Sequence, residues 1–401
     1  MRSPSTSRFT ALLGAVLAVA LAVSAVAAPS GPPIRIGGTL ALTGPLAATA
    51  LLHKLTAEIY VEELNRNNGL LGRPVEWVLL DDQSKPEVTR TLYEKLITVD
   101  KVDLLMGPYA TGAIIAAMGV AQRYQKLLIH HSFGMPHLAK YEMQFPAAPF
   151  GPEPNKTVPA VVFDAVASTA NPPKTVAIVT SKFPSAQFQS SGARDVATQR
   201  GLKVLLYLEY EFGTRDFGPI AARIKDANPD LLWVGALGLD GNLVLEELKR
   251  LDYTPRRHYH LFPAPGPMAT APEARLALSI TFFEEHPPFT NNPAAVRFAT
   301  LYHERAAKAG VPYTNVDTQA AGSYAAWQML EAAVTATRSL DDKALAQWLR
   351  KNQVPTIVGR FRFDGPNNYG DDLSKVKQVQ DGKWVVVWPK EFAAPGARLL
   401  P

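Results

Sequence analysis

Short apolar runs alternate with longer amphipathic segments along most of the chain. Runs at 34–42, 75–80 and 102–106 are typical of buried strands, and the segment 49–65 carries Leu52, Leu55, Ile59 and Leu64 at helical spacing. Because strands and helices take turns in this way, the first part of the chain predicts a parallel, doubly wound sheet.

A second strand–helix series follows a proline-rich break at 145–154, which is incompatible with a helix or a central strand. We interpret this break as the approach to a crossover between two lobes. Strands are predicted at 175–180, 203–208, 231–234 and 258–262, with a loop at 263–267. Toward the end come a helix at 318–337 and a hairpin, in which 376–380 pairs with 384–388 across Asp381-Gly382.

The stretch 101–140 organises the predicted site. It predicts a strand, a turn containing Tyr109 to Gly112, a helix, a second strand, and a second turn at 132–134. Both turns follow the carboxyl ends of strands, which is where an open α/β sheet forms its ligand crevice. The chain is therefore predicted to hold a small molecule against these two turns.

The first residues have the three parts of a secretory signal peptide. A short segment with Arg2 and Arg8 precedes an apolar run at 9–26, and Ala25-Val26-Ala27 fits a cleavage site. An uncleaved membrane anchor is the alternative, since the run is long enough to span a bilayer. We expect residues 1–28 to be removed and the mature protein to be periplasmic.

Composition narrows the classes of function. The 41 Lys and Arg residues against 36 Asp and Glu residues give a net charge of +5 without a basic run, which argues against nucleic acid as a partner. The sequence has no Cys, so disulfides, thiolate metal sites and Cys nucleophiles are excluded. Its length exceeds that of one ordinary domain, so two lobes are expected.

Several segments, in this order and spacing, resemble a known family. They are IRIGGTLALTGPLA at the start of the mature chain, LNRNNGLLGRPVEWVLLDDQSKP, LLMGPYATG, GTRDFGPIAARIKDANPDLLWVG, SYAAWQMLEAAV and VGRFRFDGPNNYG. Together they resemble the periplasmic solute-binding proteins of branched-chain amino acid and amide ABC transporters. The resemblance covers essentially the whole mature chain.

The resemblance implies an α/β protein with the type I periplasmic binding fold, in which two doubly wound parallel-sheet lobes are joined by three hinge crossovers. It implies an N-terminal lobe of residues 29–152 and 281–356 and a C-terminal lobe of 153–280 and 357–401. It also implies a small-molecule ligand captured by hinge closure, and partners in the form of an ABC permease with ATPase subunits. A monomer without a cofactor is expected.

In the family, the two turns of the N-terminal lobe hold the ligand's carboxylate. The matching residues here are Ala110, Thr111, Ser132, Phe133 and Gly134. This agrees with the physical expectation that free N–H groups at helix N-termini attract an anionic group. Ordinary turn chemistry is the alternative for each of these residues.

The sequence departs from the amino-acid binders of the family in the second lobe. Where those proteins place an acidic residue to take the ammonium group, this chain has Pro263-Ala264-Pro265; Phe183 and Leu237 stand where the family often has Tyr. The second lobe is thus expected to offer an apolar wall of Phe183, Leu237, Ala264 and Pro265. A buried ammonium would be unpaired there, so a carboxylate or amide with an apolar or aromatic body is expected, and a free amino acid is the alternative.

The sequence contains two histidine pairs and scattered tryptophans that are candidate ligands. His130 and His131 point to opposite faces of a strand, so we expect one packed and one near the cleft rather than a metal site. His258 and His260 share a face but lack a third ligand, so packed or solvated imidazoles are expected. Trp233 and Trp327 are predicted to be core residues.

An enzyme is the competing class of function. The sequence contains no nucleophile-elbow, phosphate-loop, dinucleotide or zinc-protease motif. The adjacent carboxylates Asp81-Asp82 and Glu284-Glu285 are predicted to be solvated turn charges rather than a catalytic pair. A third possibility is a sensor with the same fold, which would report ligand occupancy to a regulator.

Overall fold

A computed structural model describes residues 28–401. The predicted signal peptide therefore lies, except for its last residue, outside the described residues. Within residues 28–401, none of the helices combines the length and the apolar character that a membrane crossing needs.

The first part of the chain alternates strands and helices as the hydrophobic pattern predicted. The elements in chain order are β1 Ile34–Leu40, α1 Ala47–Arg66, β2 Val75–Asp81, α2 Pro86–Thr98, β3 Leu104–Leu105, α3 Thr111–Tyr124, β4 Leu128–His130 and β5 Gln144–Pro146. The first three strands form a parallel sheet in the order β2-β1-β3, and a parallel bridge from Met106 to Ile129 links them to the parallel pair β4-β5. These strands form the sheet of the N-terminal lobe.

The middle of the chain builds most of the second lobe. Its elements are α4 Pro154–Ala167, β6 Thr175–Ser181, α5 Pro184–Gln199, β7 Lys203–Tyr210, α6 Gly218–Ala227, β8 Leu231–Gly238, α7 Asp240–Arg250, β9 His258–Pro263, α8 Pro265–Thr270 and β10 Leu278–Thr281. Trp233 on β8 is fully buried and its ring lies 4.1 Å from that of Tyr259 on β9. The prediction that Trp233 is a core residue is confirmed.

The last third returns to the first lobe and then crosses back. Its elements are α9 Pro293–Lys308, α10 Thr318–Thr337, α11 Asp342–Lys351, β11 Val354–Thr356, β12 Gly359–Phe361, β13 Lys375–Gln380 and β14 Lys383–Trp388. Helix α10 packs against α1, where Tyr60 contacts Tyr324 and the buried Trp327 at ring distances of 4.8 and 6.1 Å. The antiparallel hairpin β13-β14 completes the second sheet, in the order β14-β13-β10-β9-β8-β6-β7.

The chain passes between the lobes three times, after β5, after β10 and after β12. The first and third crossovers lie side by side, because Phe150 bridges Asp372 and the Leu373 N–H donates to the Pro149 carbonyl at 2.9 Å. The predicted boundaries 152/153, 280/281 and 356/357 fall in or beside these crossovers and stay predictions. The last one falls inside the small hairpin β11-β12.

Two local predictions are wrong. The predicted loop at 263–267 is in part the helix α8, because proline is well suited to the first helical position and Pro265 occupies it. The predicted solvated carboxylates also differ. Asp82 is 1% exposed and accepts a hydrogen bond from Thr39 Oγ1, and Glu284 is 3% exposed and pairs with Lys377. Both carboxylates are buried with a hydrogen-bonding partner, so these turns are packed rather than solvated.

Candidate functional site

A narrow cavity lies between the two lobes, at the carboxyl ends of the strands. The N-terminal lobe and the first crossover contribute Tyr109, Ala110, Thr111, His131, Ser132, Ala148 and Phe150. The C-terminal lobe, the second crossover and the start of α10 contribute Phe183, Ser185, Leu237, Phe262, Phe282, Thr318, Gln319 and Gly322. The cavity is thus built by both lobes and by the segments that connect them.

The N-terminal wall is the beginning of α3. Ala110 is the N-cap residue and supplies no side-chain hydrogen bond to the helix. The first intrahelical bond runs from the Ile114 N–H to the Ala110 carbonyl at 3.0 Å. The preceding N–H groups therefore lie outside the helix's own hydrogen-bond ladder and can bind an anion.

Two hydroxyl groups stand beside this helix start. The Ala110 N–H donates to Ser132 Oγ at 3.1 Å, so the Ser132 hydroxyl hydrogen remains able to donate to a ligand. Thr111 is 1% exposed, and its Oγ1 has no protein partner. A buried hydroxyl without a hydrogen-bond partner is unfavourable, so Thr111 Oγ1 is a candidate for a hydrogen bond to a bound molecule.

The opposite wall contains the start of α5. Phe183 is its N-cap without a side-chain bond, and Pro184 occupies the first helical position. Helix α10, which also begins at the cavity, differs because Asp317 Oδ1 accepts a hydrogen bond from the Ala320 N–H at 2.8 Å. The α10 N-terminus therefore already has its own carboxylate, whereas those of α3 and α5 have none.

Aromatic rings form the wall of the cavity on the side of the crossovers. Phe150 packs edge-on against Phe282 at 4.8 Å and against Phe262 at 5.7 Å between ring centroids. Leu237 and Phe183 extend this apolar surface on the C-terminal lobe. The aromatic side of the cavity therefore suits a flat or branched apolar group.

Within residues 28–401, no Asp, Glu, Lys or Arg side chain lines the cavity. Two uncapped helix N-termini supply positive potential, and the lining carries no carboxylate for a cation. The site therefore favours an anionic or neutral polar head group over an ammonium group.

The cavity has a volume of about 30 Å³. A space of this size holds a water molecule or two, far less than a typical small-molecule site of about 300 Å³ or more. The lobes must therefore move apart to admit a solute.

Five of the nine predicted site residues meet at this cavity: Ala110, Thr111, Ser132, Phe183 and Leu237. The other four do not line the cavity in the described part of the chain: Phe133, Gly134, Ala264 and Pro265. The Phe133 side chain is fully buried against His130, at 5.5 Å between rings. Gly134 faces the other lobe, since a Cβ placed on it would lie 3.3 Å from Ser185 Cβ and 3.2 Å from Gln189 Nε2.

Ala264 and Pro265 lie next to the site, but their backbone groups form hydrogen bonds within the second lobe. The Ala264 N–H donates to the Gly238 carbonyl at 2.8 Å, and the Pro265 carbonyl accepts from Trp384 Nε1 at 3.0 Å. Phe262, two residues earlier, reaches the cavity in their place. Its backbone φ of 47° lies in the left-handed region inside β9, beside a register shift in the pairing with β8 that the sequence pattern did not reveal.

Sequence reasoning missed most of the crossover residues in the lining. Phe150, Phe282, Thr318 and Gln319 are far apart in sequence, and only the return of the chain brings them together. The proline-rich break around Phe150 was the one local signal of a crossover.

The four histidines of the two pairs are buried. His130 Nε2 lies 2.7 Å from Gln144 Oε1, while His131 lines the cavity, so the prediction of one packed and one cleft histidine is confirmed. His258 Nδ1 lies 2.8 Å from His260 Nε2, and both residues are buried. In the part of the chain that the structure describes, no group of three or more potential ligands is arranged to hold a metal ion.

Comparison with known proteins agrees with this geometry. Residues 33–383 match the periplasmic binding protein family. A relative from Rhizobium johnstonii, named Leu/Ile/Val-binding protein BraC3, is 24% identical, and the match covers 88% of this chain and 93% of that protein.

Two similar solved structures carry ligands of different kinds. One is the branched-chain amino acid transporter substrate-binding protein LivJ from Streptococcus pneumoniae in complex with isoleucine, with a TM-score of 0.75, 19% identity and coverage of 89% of this chain and 100% of that one. The other is a solute-binding protein of an ABC transporter from Rhodopseudomonas palustris in complex with 3,4-dihydroxybenzoic acid, with a TM-score of 0.73, 18% identity and coverage of 88% and 95%. The chain belongs to the periplasmic binding protein family and is a solute-binding protein with two doubly wound lobes joined by three crossovers.

Proposed function

We propose that this protein is the extracytoplasmic component of an ABC importer, and that its solute combines a carboxylate or amide head group with an apolar or aromatic body. One observation carries the choice of solute. The uncapped start of α3, with the hydroxyls of Thr111 and Ser132, faces a wall of phenylalanines, and no acidic side chain lines the described cavity.

In this proposal, the head group binds the first-turn N–H groups of α3 and accepts hydrogen bonds from Thr111 and Ser132. The body lies against Phe183, Leu237 and Phe262 of the second lobe. Closure of the lobes removes water and strengthens the polar contacts, so the solute stabilises the closed form by its greater affinity for it.

A free branched-chain amino acid is the second candidate. It is supported by the names of relatives such as BraC3 and by the isoleucine bound to LivJ. The aromatic acid bound to the Rhodopseudomonas palustris protein supports the first candidate. We favour the first because a buried ammonium would find no carboxylate in the lining described here.

The assembly and location follow from the same proposal. A cleaved signal peptide exports the protein as a monomer, and the closed form is recognised by a permease with ATPase subunits. The alternative role as a sensor predicts instead that a regulatory protein, rather than the permease, binds the closed form. Copurification from cross-linked cells distinguishes the two roles.

The solute class is tested by thermal shift followed by calorimetry on the mature protein. The panel contains benzoate, its amide benzamide, aliphatic carboxylates, and leucine, isoleucine and valine. A ligand at about 100 times its Kd stabilises the folded state by about 2.7 kcal/mol, which is a clear shift. Binding of amine-free carboxylates or amides is expected, and binding restricted to amino acids would overturn the proposed solute class.

A further inference from the structure

A second, smaller cavity lies in the N-terminal lobe, directly behind His131. Its volume is about 10 Å³, and its walls include His53 of α1, Trp77 of β2 and His131. This is roughly the space that one water-sized oxygen occupies.

Several buried polar atoms of this cavity have no protein partner. His53 is 1% exposed and both of its ring nitrogens are unpaired, as are His131 Nδ1 and Trp77 Nε1. Buried polar atoms are nearly always hydrogen-bonded, because an unpaired one costs about 1–3 kcal/mol. Three residues with unpaired polar atoms thus surround one small space that a single polar group can fill.

The surrounding rings fix the positions of these atoms. The His53 ring stacks on His131 at 4.2 Å between centroids and contacts Tyr109 at 4.8 Å. A Cβ placed on Gly38 would lie 3.6 Å from Trp77 Nε1, so the indole N–H is held close to the β1 backbone.

The chemistry of the walls selects a neutral group. Burial keeps the pKa of His53 well below its ordinary value and lowers the pKa of His131 to about 3. Each neutral imidazole has one donor and one acceptor nitrogen, and Trp77 adds a donor. A hydroxyl group can use both kinds of atom, whereas a carboxylate only accepts and an ammonium only donates.

The small cavity adjoins the cavity between the lobes. His131 lines both of them. The turn after β3 gives Tyr109 to the larger cavity and Gly107 to the smaller one, and α10 gives Gly322 and Ser323 in the same way. The two cavities thus meet at His131, and both are bounded by the turn after β3 and the start of α10.

We propose that the cavity formed by His53, Trp77 and His131 is a subsite for a hydroxyl group carried on the body of the solute. This proposal rests on the proposed function for the head group, which anchors the same molecule at α3. It assigns to the body a hydroxyl substituent near the head group, on the side that faces His131 and the N-terminal lobe.

The test measures how a hydroxyl group changes affinity in the wild type and in two variants. Calorimetry compares benzoate with 2-, 3- and 4-hydroxybenzoate. In the wild type, at least one hydroxyl position is expected to lower Kd about tenfold, the effect of one buried hydrogen bond. His53→Phe keeps an aromatic ring beside Tyr109, and Trp77→Phe removes the indole N–H.

In both variants the gain from the hydroxyl group is expected to disappear while the Kd for benzoate stays within about twofold. Trp348→Phe on α11, outside both cavities, is the matched control and should keep the gain. Equal gains in the wild type and both variants, or no gain at any ring position, would overturn the subsite.

A second set of solutes separates this subsite from the proposed head-group specificity. If benzoate fails to bind, the proposed solute class is wrong, and the pairs valine with threonine and phenylalanine with tyrosine take its place. A hydroxyl preference that His53→Phe abolishes would support the subsite in that case as well. Its absence in both sets would exclude it.

Discussion

At the scale of single residues, most of the unpaired buried polar atoms described in the N-terminal lobe lie at the two adjoining cavities. Thr111 Oγ1 belongs to the larger cavity, and the atoms of His53 and Trp77 belong to the smaller one. A ligand that completes such an atom is one reason why a protein keeps it unpaired. A substitution at Thr111 should therefore lower the affinity for the solute without lowering the free energy of unfolding.

Thr111→Val tests this separation. Valine keeps the shape of threonine but lacks the unpaired hydroxyl, so the free energy of unfolding of the ligand-free protein should stay the same or rise slightly. Affinity for the solute should fall about tenfold, measured by calorimetry. Thr337→Val, at the far end of α10, is the control; an unchanged Kd for Thr111→Val would exclude the contact.

The buried histidines predict a loss of stability in acid. Burial lowers the pKa of His130 to about 4 and that of His131 to about 3, whereas an unfolded histidine titrates near 6.5. Below pH 6.5 these histidines are protonated in the unfolded state but stay neutral in the folded state. Each one therefore lowers the free energy of unfolding by about 1.4 kcal/mol per pH unit until the pH reaches its folded pKa.

Urea unfolding between pH 7 and pH 4.5 measures this effect. The midpoint should fall as pH falls below 6.5, and His130→Gln should flatten the dependence because glutamine does not titrate. Gln122→Ala, at an exposed residue of α3 that does not titrate, is the control, and its profile should follow the wild type. A pH-independent midpoint in the wild type would contradict the prediction.

At the scale of elements, the site depends on how helices begin. Helix α10 has a carboxylate cap, but α3 and α5 begin at Ala110 and Phe183 without one. Alanine is a poor N-cap, and at Ala110 it also adopts a φ of 76°, a region that favours glycine. The start of α3 is thus locally strained, and its first N–H groups remain free for the proposed head group.

Ala110→Gly should release this local strain. We expect the free energy of unfolding to rise by about 1 kcal/mol, because glycine adopts the observed φ freely. The N–H groups of α3 remain, so the Kd for the solute should change less than threefold. Ala113→Gly, inside the same helix, is the control and should destabilise.

The second crossover is tied to the hairpin by a buried ion pair. Lys377 Nζ of β13 lies 2.8 Å from Glu284 Oε1, and the two side chains are 5% and 4% exposed. Lys377→Met should destabilise by about 3–5 kcal/mol, because it leaves a buried carboxylate without its partner. Urea unfolding should show that Lys377→Met with Glu284→Gln recovers most of this loss, and that exposed Lys383→Met is neutral.

At the scale of the whole molecule, function requires that the lobes separate and close. Gly134 of the N-terminal lobe and Ser185 of α5 approach closely across the cleft, with 3.3 Å from an ideal Gly134 Cβ to Ser185 Cβ. Cβ atoms of a disulfide are about 3.5–4.5 Å apart, so a small adjustment would allow a bond here. The natural sequence has no cysteine to interfere.

The pair Gly134→Cys with Ser185→Cys should lock the lobes together when oxidised. Solute binding should then become undetectable or at least a hundredfold slower, because a cavity of about 30 Å³ cannot admit a solute. Reduction should restore binding to the level of the two single-cysteine variants. Normal binding by the fully oxidised protein would show that the cleft admits solute without opening.

The sequence predicted much of this fold but only part of the site. The apolar runs located the strands β1, β6 and β8, and the turns after β3 and β4 led to Ala110, Thr111 and Ser132. Phe183 and Leu237 came from the resemblance to a family. Phe133 and Gly134 were chosen by position in the family, but Phe133 is buried against His130 and Gly134 approaches Ser185 of the other lobe.

The sequence by itself determined the periodicity of strands and helices, the turns at strand ends and the absence of cysteine, because these depend on local composition. Tertiary structure alone decided that Phe150, Phe262 and Phe282 form one wall, that Glu284 is buried with Lys377, and that His53 stacks on His131. These contacts join segments separated by many residues. Their pairing is set by how two sheets and three crossovers pack, which no local pattern encodes.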